Sequence, residues 1–452
     1  MIETKIFREY DIRGVWGQDL TAEAVNAVAR AFAVHLKEHL SKDAVSVSVG
    51  RDIRLSSPGV FDALTGGFLS SGVNVVDIGV CPTPLQYFSL HHLAVDGGIM
   101  ITGSHNPPEF NGLKLSVGKE TIFGEEIQAL RRLIEAGSTT QGRGSMEHYE
   151  IIPAYTDYVR GLFGSLEGIR LVVDAGNGTG GLVAPALLRA LGCEVIELYC
   201  EPDGTFPNHH PDPVVPGNIR DLIAKVKAEK AHAGIGYDGD ADRIGVVDED
   251  GDVVWGDRLM IIFSRDVLQQ NPGATVIGEV KCSESLFEDI RNRGGNPIMG
   301  KVGHSLIKSR MKDTGALLAG EMSGHIFFAD RYLGYDDAIY ASLRLVEILR
   351  KKGKPYSLKA LLSDVPATVS TPEIRVDCPD EIKFTVIERA KEAFRDYPLV
   401  DIDGIRIRFE EGWGLIRASN TQPSLVLRFE ARDAASLGRI RAFVEGRLGK
   451  LF

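Results

Sequence analysis

Ala233-Gly234-Ile235-Gly236-Tyr237-Asp238-Gly239-Asp240-Ala241-Asp242-Arg243-Ile244-Gly245-Val246-Val247 reads as buried strand, acidic bend and buried strand. Both flanks are small or apolar. Three carboxylates between them are costly to bury unless something neutralises their charge. A hard divalent cation does so with oxygen ligands. In an extended chain residues i, i+2 and i+4 face one way, and a bend at Gly239 would converge Asp238, Asp240 and Asp242 on one ion. A solvated acidic turn is the alternative reading of D-x-D-x-D. An EF-hand loop is disfavoured: Glu249 falls at the twelfth position, but Arg243 stands where the sharp turn needs Gly. Arg243 points to an anion beside the metal, because a guanidinium matches phosphate as a bidentate fork.

Outward from this stretch the chain alternates strand and helix. Thr21 caps a helix to about Leu40, and strands are expected at 44–49, 73–78 and 98–101 with helices between them. A second block opens near 151 with strands 170–174 and 194–199. A third has strands 275–279, 296–299 and 315–319. This rhythm predicts mainly parallel sheets covered by helices, with ligands at the carboxyl ends of strands. From about 369 the pattern changes to paired strands with two helices, a small α+β unit on an antiparallel sheet. The fold class is therefore α/β: three α/β domains with mixed, mainly parallel sheets, 1–150, 151–254 and 255–367, plus a C-terminal α+β domain, 368–452.

Length and composition agree. At 452 residues, roughly 100–200 per domain gives about three or four domains. The net charge of −11 argues against non-specific nucleic-acid binding. Five cysteines without C-x-x-C spacing read as reduced thiols, neither a disulfide framework nor a zinc site. There is no bilayer-spanning apolar run and no basic n-region with an apolar h-region. A cytoplasmic protein with no nucleic-acid or membrane partner is expected.

Several loops at strand ends carry chemistry. Thr102-Gly103-Ser104-His105-Asn106-Pro107-Pro108 follows strand 98–101 and holds Ser104 at a turn. It lacks the second Gly of a hydrolase elbow. A serine there can carry a phosphoryl group, itself a metal ligand, with Lys114 near in sequence. Ala175–Gly181 is a Gly-rich strand-to-helix turn, read as structural ahead of a phosphate cradle. Asp248–Asp252 reads as a solvated hairpin turn. Lys281, Gly303-His304-Ser305 and Glu321-Met322-Ser323-Gly324-His325 follow strands of the third block. Arg417-Ala418-Ser419-Asn420-Thr421-Gln422-Pro423 gathers one cation and short hydrogen-bonders suited to phosphate, with an Asx/ST turn as the other reading.

Taken together, Tyr10-Asp11-Ile12-Arg13-Gly14, Thr102–Pro108, Asp238–Arg243, Gly303–Ser305, Gly320–His325 and Arg417–Pro423 stand in the order of the α-D-phosphohexomutases, and the chain resembles that family nearly end to end. It is most similar to the bacterial phosphomannomutase/phosphoglucomutase branch. The resemblance implies four domains around a central active-site cleft, each giving one loop. It implies reversible interconversion of mannose or glucose 1-phosphate and 6-phosphate through a phosphoserine. One Mg²⁺ per site is implied, with a hexose 1,6-bisphosphate as intermediate and activator. Ser104 would carry the phosphoryl group and, with Asp238, Asp240 and Asp242, bind the metal. Arg13, Lys114 and Arg243 would surround the phosphoryl group, with Lys114 shuttling protons. Tyr10, His105, Lys281, His304, Glu321, Ser323 and His325 would bind the sugar phosphate. Arg417, Ser419, Asn420 and Thr421 would clamp the non-reacting phosphate. Partners would be small phosphosugars and the protein a monomer, with a weak dimer left open. Two departures stand out: Ala241 where the family commonly has Gly, and Gln422 where Glu is usual. A phosphoglucosamine mutase and a non-catalytic sugar-phosphate binding protein on the same fold are the alternatives.

Overall fold

A computed structural model describes residues 2–420 and 422–452, arranged on four sheets. In the first, Val45–Arg51, Val73–Val80 and Gly97–Ile101 run parallel, as their β-branched runs and intervening helices predict. Phe110–Val117 pairs antiparallel with Gly97–Ile101, and Ile12–Val15 with Phe110–Val117. The antiparallel strand Phe110–Val117 is not among the expected elements. Its Leu113, Leu115 and Val117 alternate with Lys114 and Ser116, but both polar residues are buried, so the usual inside/outside contrast is absent.

The second sheet has Glu194–Leu198, Arg170–Asp174 and Ala233–Tyr237 parallel, then Ile244–Asp248 and Val253–Val254 antiparallel. The third has Asn296–Gly300, Thr275–Glu279 and Leu318–Gly320 parallel, with Ile326–Phe328 antiparallel. The fourth is antiparallel throughout and packs helices Asp380–Ala393 and Ala434–Leu448 against one core. These are three mixed α/β sheets and one α+β unit, the fold class expected. The strand pattern expected from about 369 opens as two short strands, Val369–Ser370 and Ile374–Asp377. Pro372 between them has no N–H for the ladder.

One apolar core fills the first sheet. A second, larger core runs from helix Thr83–His92 through the second and third sheets to helix Ala338–Lys352. That continuity fixes the strand ends of three sheets against one another. Among the described residues no helix is long and apolar enough to cross a membrane.

Asp248–Asp252 is not simply solvated. Asp248 is buried, and its Oδ1 accepts hydrogen bonds from the Asp250 and Asp252 amides. Glu249 accepts from the Leu358 amide and the Ser357 hydroxyl.

Candidate active site

Strands Ala233–Tyr237 and Ile244–Asp248 form a hairpin closed by Tyr237 opposite Ile244. The acidic stretch is its loop. The bend lies at Ala241, whose φ is 57°, and not at Gly239 as the sequence suggested. Gly239 is needed for another reason: a Cβ there would stand 2.5 Å from the Ser104 carbonyl oxygen. An alanine in the left-handed region costs about 1 kcal/mol. The loop is held from three sides. Thr83 donates through its hydroxyl to Asp240 Oδ2 at 2.6 Å and through its amide to the Asp240 carbonyl at 2.9 Å. Thr179, in the Gly-rich turn, donates from N–H and hydroxyl to the Gly239 carbonyl. The Ala338 amide reaches the Ala241 carbonyl at 3.4 Å. The Gly-rich turn thus backs the acidic loop, in line with its structural reading.

Asp238, Asp240 and Asp242 are fully buried, and one ligating oxygen of each lies within 4.8 Å of the others. Ser104 donates to Asp238 Oδ2 at 3.0 Å, and His105 Nδ1 lies 3.1 Å from the same hydroxyl. Lys114 Nζ donates to Asp240 Oδ2 at 3.0 Å and also to Asp242 Oδ2. Arg243 Nε is 4.0 Å from Asp238 Oδ2 and donates to His325 Nε2 at 3.0 Å.

Charge and hydrogen bonding leave this cluster incomplete. Lys114 and Arg243 offset two of three carboxylates. Asp240 Oδ1 and Asp242 Oδ1 are buried without a hydrogen-bond partner, which a folded protein rarely tolerates. Burial and the two neighbouring carboxylates hold Asp238 well above the usual range. Burial also pushes Asp240 up, but Lys114 and the bonds from Thr83 and Lys114 outweigh it and hold it low. Burial pulls Lys114 down, and Asp240 and Asp242 more than reverse that, so it stays an ammonium. The donors are all oxygen and the deficit is positive charge. A hard cation such as Mg²⁺ fits this set.

Ser104 sits at φ 50° and is buried. Its loop is pinned by Arg54, which sequence reading missed. The Arg54 guanidinium donates to the carbonyls of Ser104 at 2.7 Å, Asn106 at 2.6 Å, Pro107 at 2.5 Å and Phe110 at 3.0 Å. Asp52 orients it at 3.1 Å and also accepts from the Gly103 amide. A Cβ at Gly103 would lie 2.4 Å from the Arg54 Cζ. One fully buried cation therefore satisfies four carbonyls and shapes the turn that presents the serine.

The remaining sequence-predicted residues fall into two groups. Arg13, on Ile12–Val15, pairs with Asp11 at 2.5 Å and keeps a buried, unpartnered Nε. Its charge and that of Arg243 bear on His105, which burial holds neutral. His304 and His325 stack at 5.4 Å. Between them lies Asp336, also missed: fully buried, 3.0 Å from His325 Nδ1, 3.8 Å from His304 Nδ1 and 3.3 Å from Lys308 Nζ. Glu321 accepts from the Gly303 amide at 2.7 Å and the Ser323 hydroxyl at 3.3 Å.

Tyr10 joins three units. Its hydroxyl donates to the Val302 carbonyl at 2.8 Å and accepts from Asn420 Nδ2 at 2.6 Å, and its ring meets His304 edge-on at 6.1 Å. Arg417 and the Val302 amide share Asp403 Oδ2, both at 3.1 Å. Lys281 pairs with Glu373 at 3.3 Å. The Ser419 hydroxyl accepts from the Gln422 amide at 3.1 Å, and Gln422 accepts from Arg375 at 2.7 Å. Thr421 lies outside the described residues.

The chain matches the family models for phosphoglucomutase/phosphomannomutase alpha/beta/alpha domain I over residues 4–141, domain II over 153–251, domain III over 255–368 and the C-terminal domain over 373–446. It is 47% identical to a phosphomannomutase/phosphoglucomutase of Pseudomonas aeruginosa over 99% of this chain and 96% of that one. It is 45% identical to a phosphoglucomutase of Neisseria gonorrhoeae over 97% of this chain and 96% of that one. The crystal structure of a phosphoglucomutase/phosphomannomutase family protein from Burkholderia thailandensis superposes with a TM-score of 0.93 at 43% identity, covering 100% of this chain and 98% of that one. With all four domain models matched in order and full-length relatives at this identity, the chain belongs to the phosphoglucomutase/phosphomannomutase family.

Proposed function

We propose that this enzyme interconverts hexose 1-phosphates and hexose 6-phosphates of mannose and glucose, with the phosphoryl group carried on Ser104 and a hexose 1,6-bisphosphate as intermediate. The observation that carries this reading is the meeting of the Ser104 hydroxyl with Asp238 at 3.0 Å, inside an acidic cluster that Lys114 and Arg243 only partly neutralise. The names of the Pseudomonas and Neisseria relatives support glucose, and the former mannose as well.

Asp238, Asp240, Asp242 and the group on Ser104 would hold one Mg²⁺, which when bound supplies charge neutralisation at the phosphoryl oxygens. The chain's own residues do the rest. Arg54 holds the Ser104 turn rigid, so the group on Oγ is presented in one place. Arg13 and Arg243 offer guanidinium donors to the phosphoryl oxygens. As the sugar hydroxyl oxygen bonds to phosphorus, the Oγ–P bond breaks. Lys114 gives a proton to the departing Oγ and takes up the one lost by the sugar hydroxyl. The reverse transfer from the bisphosphate, after it turns over, returns the other phosphate to Ser104.

Glu321 and Ser323 read the sugar hydroxyls, with Tyr10, His105, Lys281, His304 and His325 lining the same space. Arg417, Ser419, Asn420 and Thr421 hold the phosphate that does not react. The units 1–150, 151–254, 255–367 and 368–452 each supply one of these loops. A monomer acting in the cytoplasm on small phosphosugars completes the reading.

The test is a mutase assay with Mg²⁺ and a trace of glucose 1,6-bisphosphate, on mannose 1-phosphate and glucose 1-phosphate. Conversion of either to its 6-phosphate is expected, falling at least about a thousandfold in Ser104→Ala, as for loss of a covalent nucleophile. No conversion of either sugar by the wild type, with binding retained, would leave a sugar-phosphate binding protein instead.

A further inference from the structure

His35 and His39 lie one helical turn apart on Ala22–Leu40, so both imidazoles project from one face. That face packs on helix Glu125–Glu135, whose first turn carries Glu126. One ligating atom from each of the three side chains falls within 4.8 Å of the others. The two rings are 5.8 Å apart, and the His35 ring is backed by Phe32 at 6.4 Å. None of these residues belongs to the cluster around Ser104.

The pairing inside this group is unfinished. His35 Nε2 is 4.0 Å from Glu126 Oε1, too far for a hydrogen bond. It is buried and has no hydrogen-bond partner. A buried imidazole nitrogen facing a carboxylate beyond bonding distance, with a second imidazole alongside, is a donor set that suits a metal ion. Two ligands at roughly 2.0–2.1 Å from a tetrahedral Zn²⁺ stand roughly 3.3–3.4 Å apart. Closing the group to that spacing needs side-chain rotation only, since His39 is exposed and Glu126 half-exposed.

We propose that His35, His39 and Glu126 form a second metal site, for a borderline divalent transition-metal ion of the Zn²⁺ type. Two imidazole nitrogens and one carboxylate oxygen suit such an ion, whereas the all-oxygen set at Asp238–Asp242 suits a hard one. The ion would tie the C-terminal half of helix Ala22–Leu40 to the start of helix Glu125–Glu135, bracing one flank of the first sheet.

The experiment is calorimetric titration of the chelator-stripped full chain with Zn²⁺, in excess Mg²⁺ to occupy the acidic loop. Wild type is compared with His39→Ala, Glu126→Gln and Asp240→Asn, and circular dichroism checks that each is folded. One equivalent of Zn²⁺ is expected in the wild type and in Asp240→Asn. Affinity should fall at least about tenfold in both His39→Ala and Glu126→Gln, the loss that removing even an outer partner of a bound metal produces. Zn²⁺ should raise the Tm of the wild type and leave that of His39→Ala unchanged. Equal Zn²⁺ affinity in wild type and His39→Ala, loss of binding only in Asp240→Asn, or no Zn²⁺ binding at all would each overturn the proposal.

Discussion

Strand Ile244–Asp248 has an alternating aspartate triplet at each end. Asp238-Gly239-Asp240-Ala241-Asp242 precedes it, and Asp248-Glu249-Asp250-Gly251-Asp252 closes it. As spacings the two are the same. In the first, all three carboxylates are fully buried, face Ser104 and Lys114, and keep two oxygens without partners. In the second, Asp248 turns inward to cap its own hairpin, while the Asp250 and Asp252 side chains are 57% and 74% exposed and pair with Lys359. The first loop lies at the carboxyl end of Ala233–Tyr237, where the sheet meets the loops of two other units. The second lies at the opposite end. Spacing alone does not make a metal site. Convergence from several strand ends, and acceptors left over once the protein's own donors are used, do.

Breaking the first triplet should cost activity, and breaking the second should not. Asp240→Asn removes a carboxylate that Thr83 and Lys114 both hold. It is expected to lower kcat by about 10²–10³, the effect of losing one preorganised charge stabiliser. Asp250→Asn should leave steady-state kinetics unchanged and stability within about 0.5 kcal/mol. Equal activity loss in the two variants would break the contrast.

Beside the two triplets, the adjacent aspartates Asp336 and Asp337 show how partners set the role of a buried acid. Asp336 faces Lys308, His304 and His325, whereas the adjacent Asp337 faces hydroxyls. It accepts from Tyr155 at 2.8 Å, Tyr332 at 2.6 Å and the Tyr340 amide at 2.8 Å. Burial, only partly offset by these bonds, raises Asp337 to about 6. Its folded pKa lies above the unfolded value, so the native state binds more protons between about pH 4 and 6 and loses stability as pH rises through that window. A shift of about 2 units corresponds to about 3 kcal/mol. Asp337→Asn should therefore gain on the wild type by up to about that amount between pH 4 and 6, read by urea unfolding. A gap that does not change with pH would contradict the reading.

Within the second triplet, Asp248 is expected to matter for stability alone. Asp248→Ala strands two backbone amides and should cost about 1–3 kcal/mol in unfolding free energy. The kcat should stay unchanged, because the loss is confined to the turn. An altered kcat with native stability would tie that turn to the site after all.

The sequence made the block order, the serine turn and the acidic loop legible, because each rests on local signals: strand periodicity, turn residues and charge in an apolar setting. It did not reveal the groups that hold the site in shape. Arg54 acts on a turn 50 residues away, Thr83 on Asp240 157 residues away, and Asp336 on His304 at a helix start and His325 in a separate loop. Each is an unremarkable residue in its own neighbourhood and matters only by where the fold brings it. Ile326–Phe328 was not foreseen because three residues carry too little period. Sequence points the bend to Gly239 because glycine is the default left-handed residue, whereas Ala241 takes that conformation and Gly239 answers a close approach.

The proposed reaction requires Ser104 to accept and give up a phosphoryl group. Its most direct test is mass spectrometry of the full-length protein after incubation with glucose 1,6-bisphosphate and Mg²⁺, with the modified peptide mapped. A single phosphoryl increment on Ser104 is expected, lost on chasing with excess glucose 1-phosphate as glucose 1,6-bisphosphate forms. A phosphoryl group on another residue, or turnover of sugar phosphates with Ser104 never modified, would contradict it.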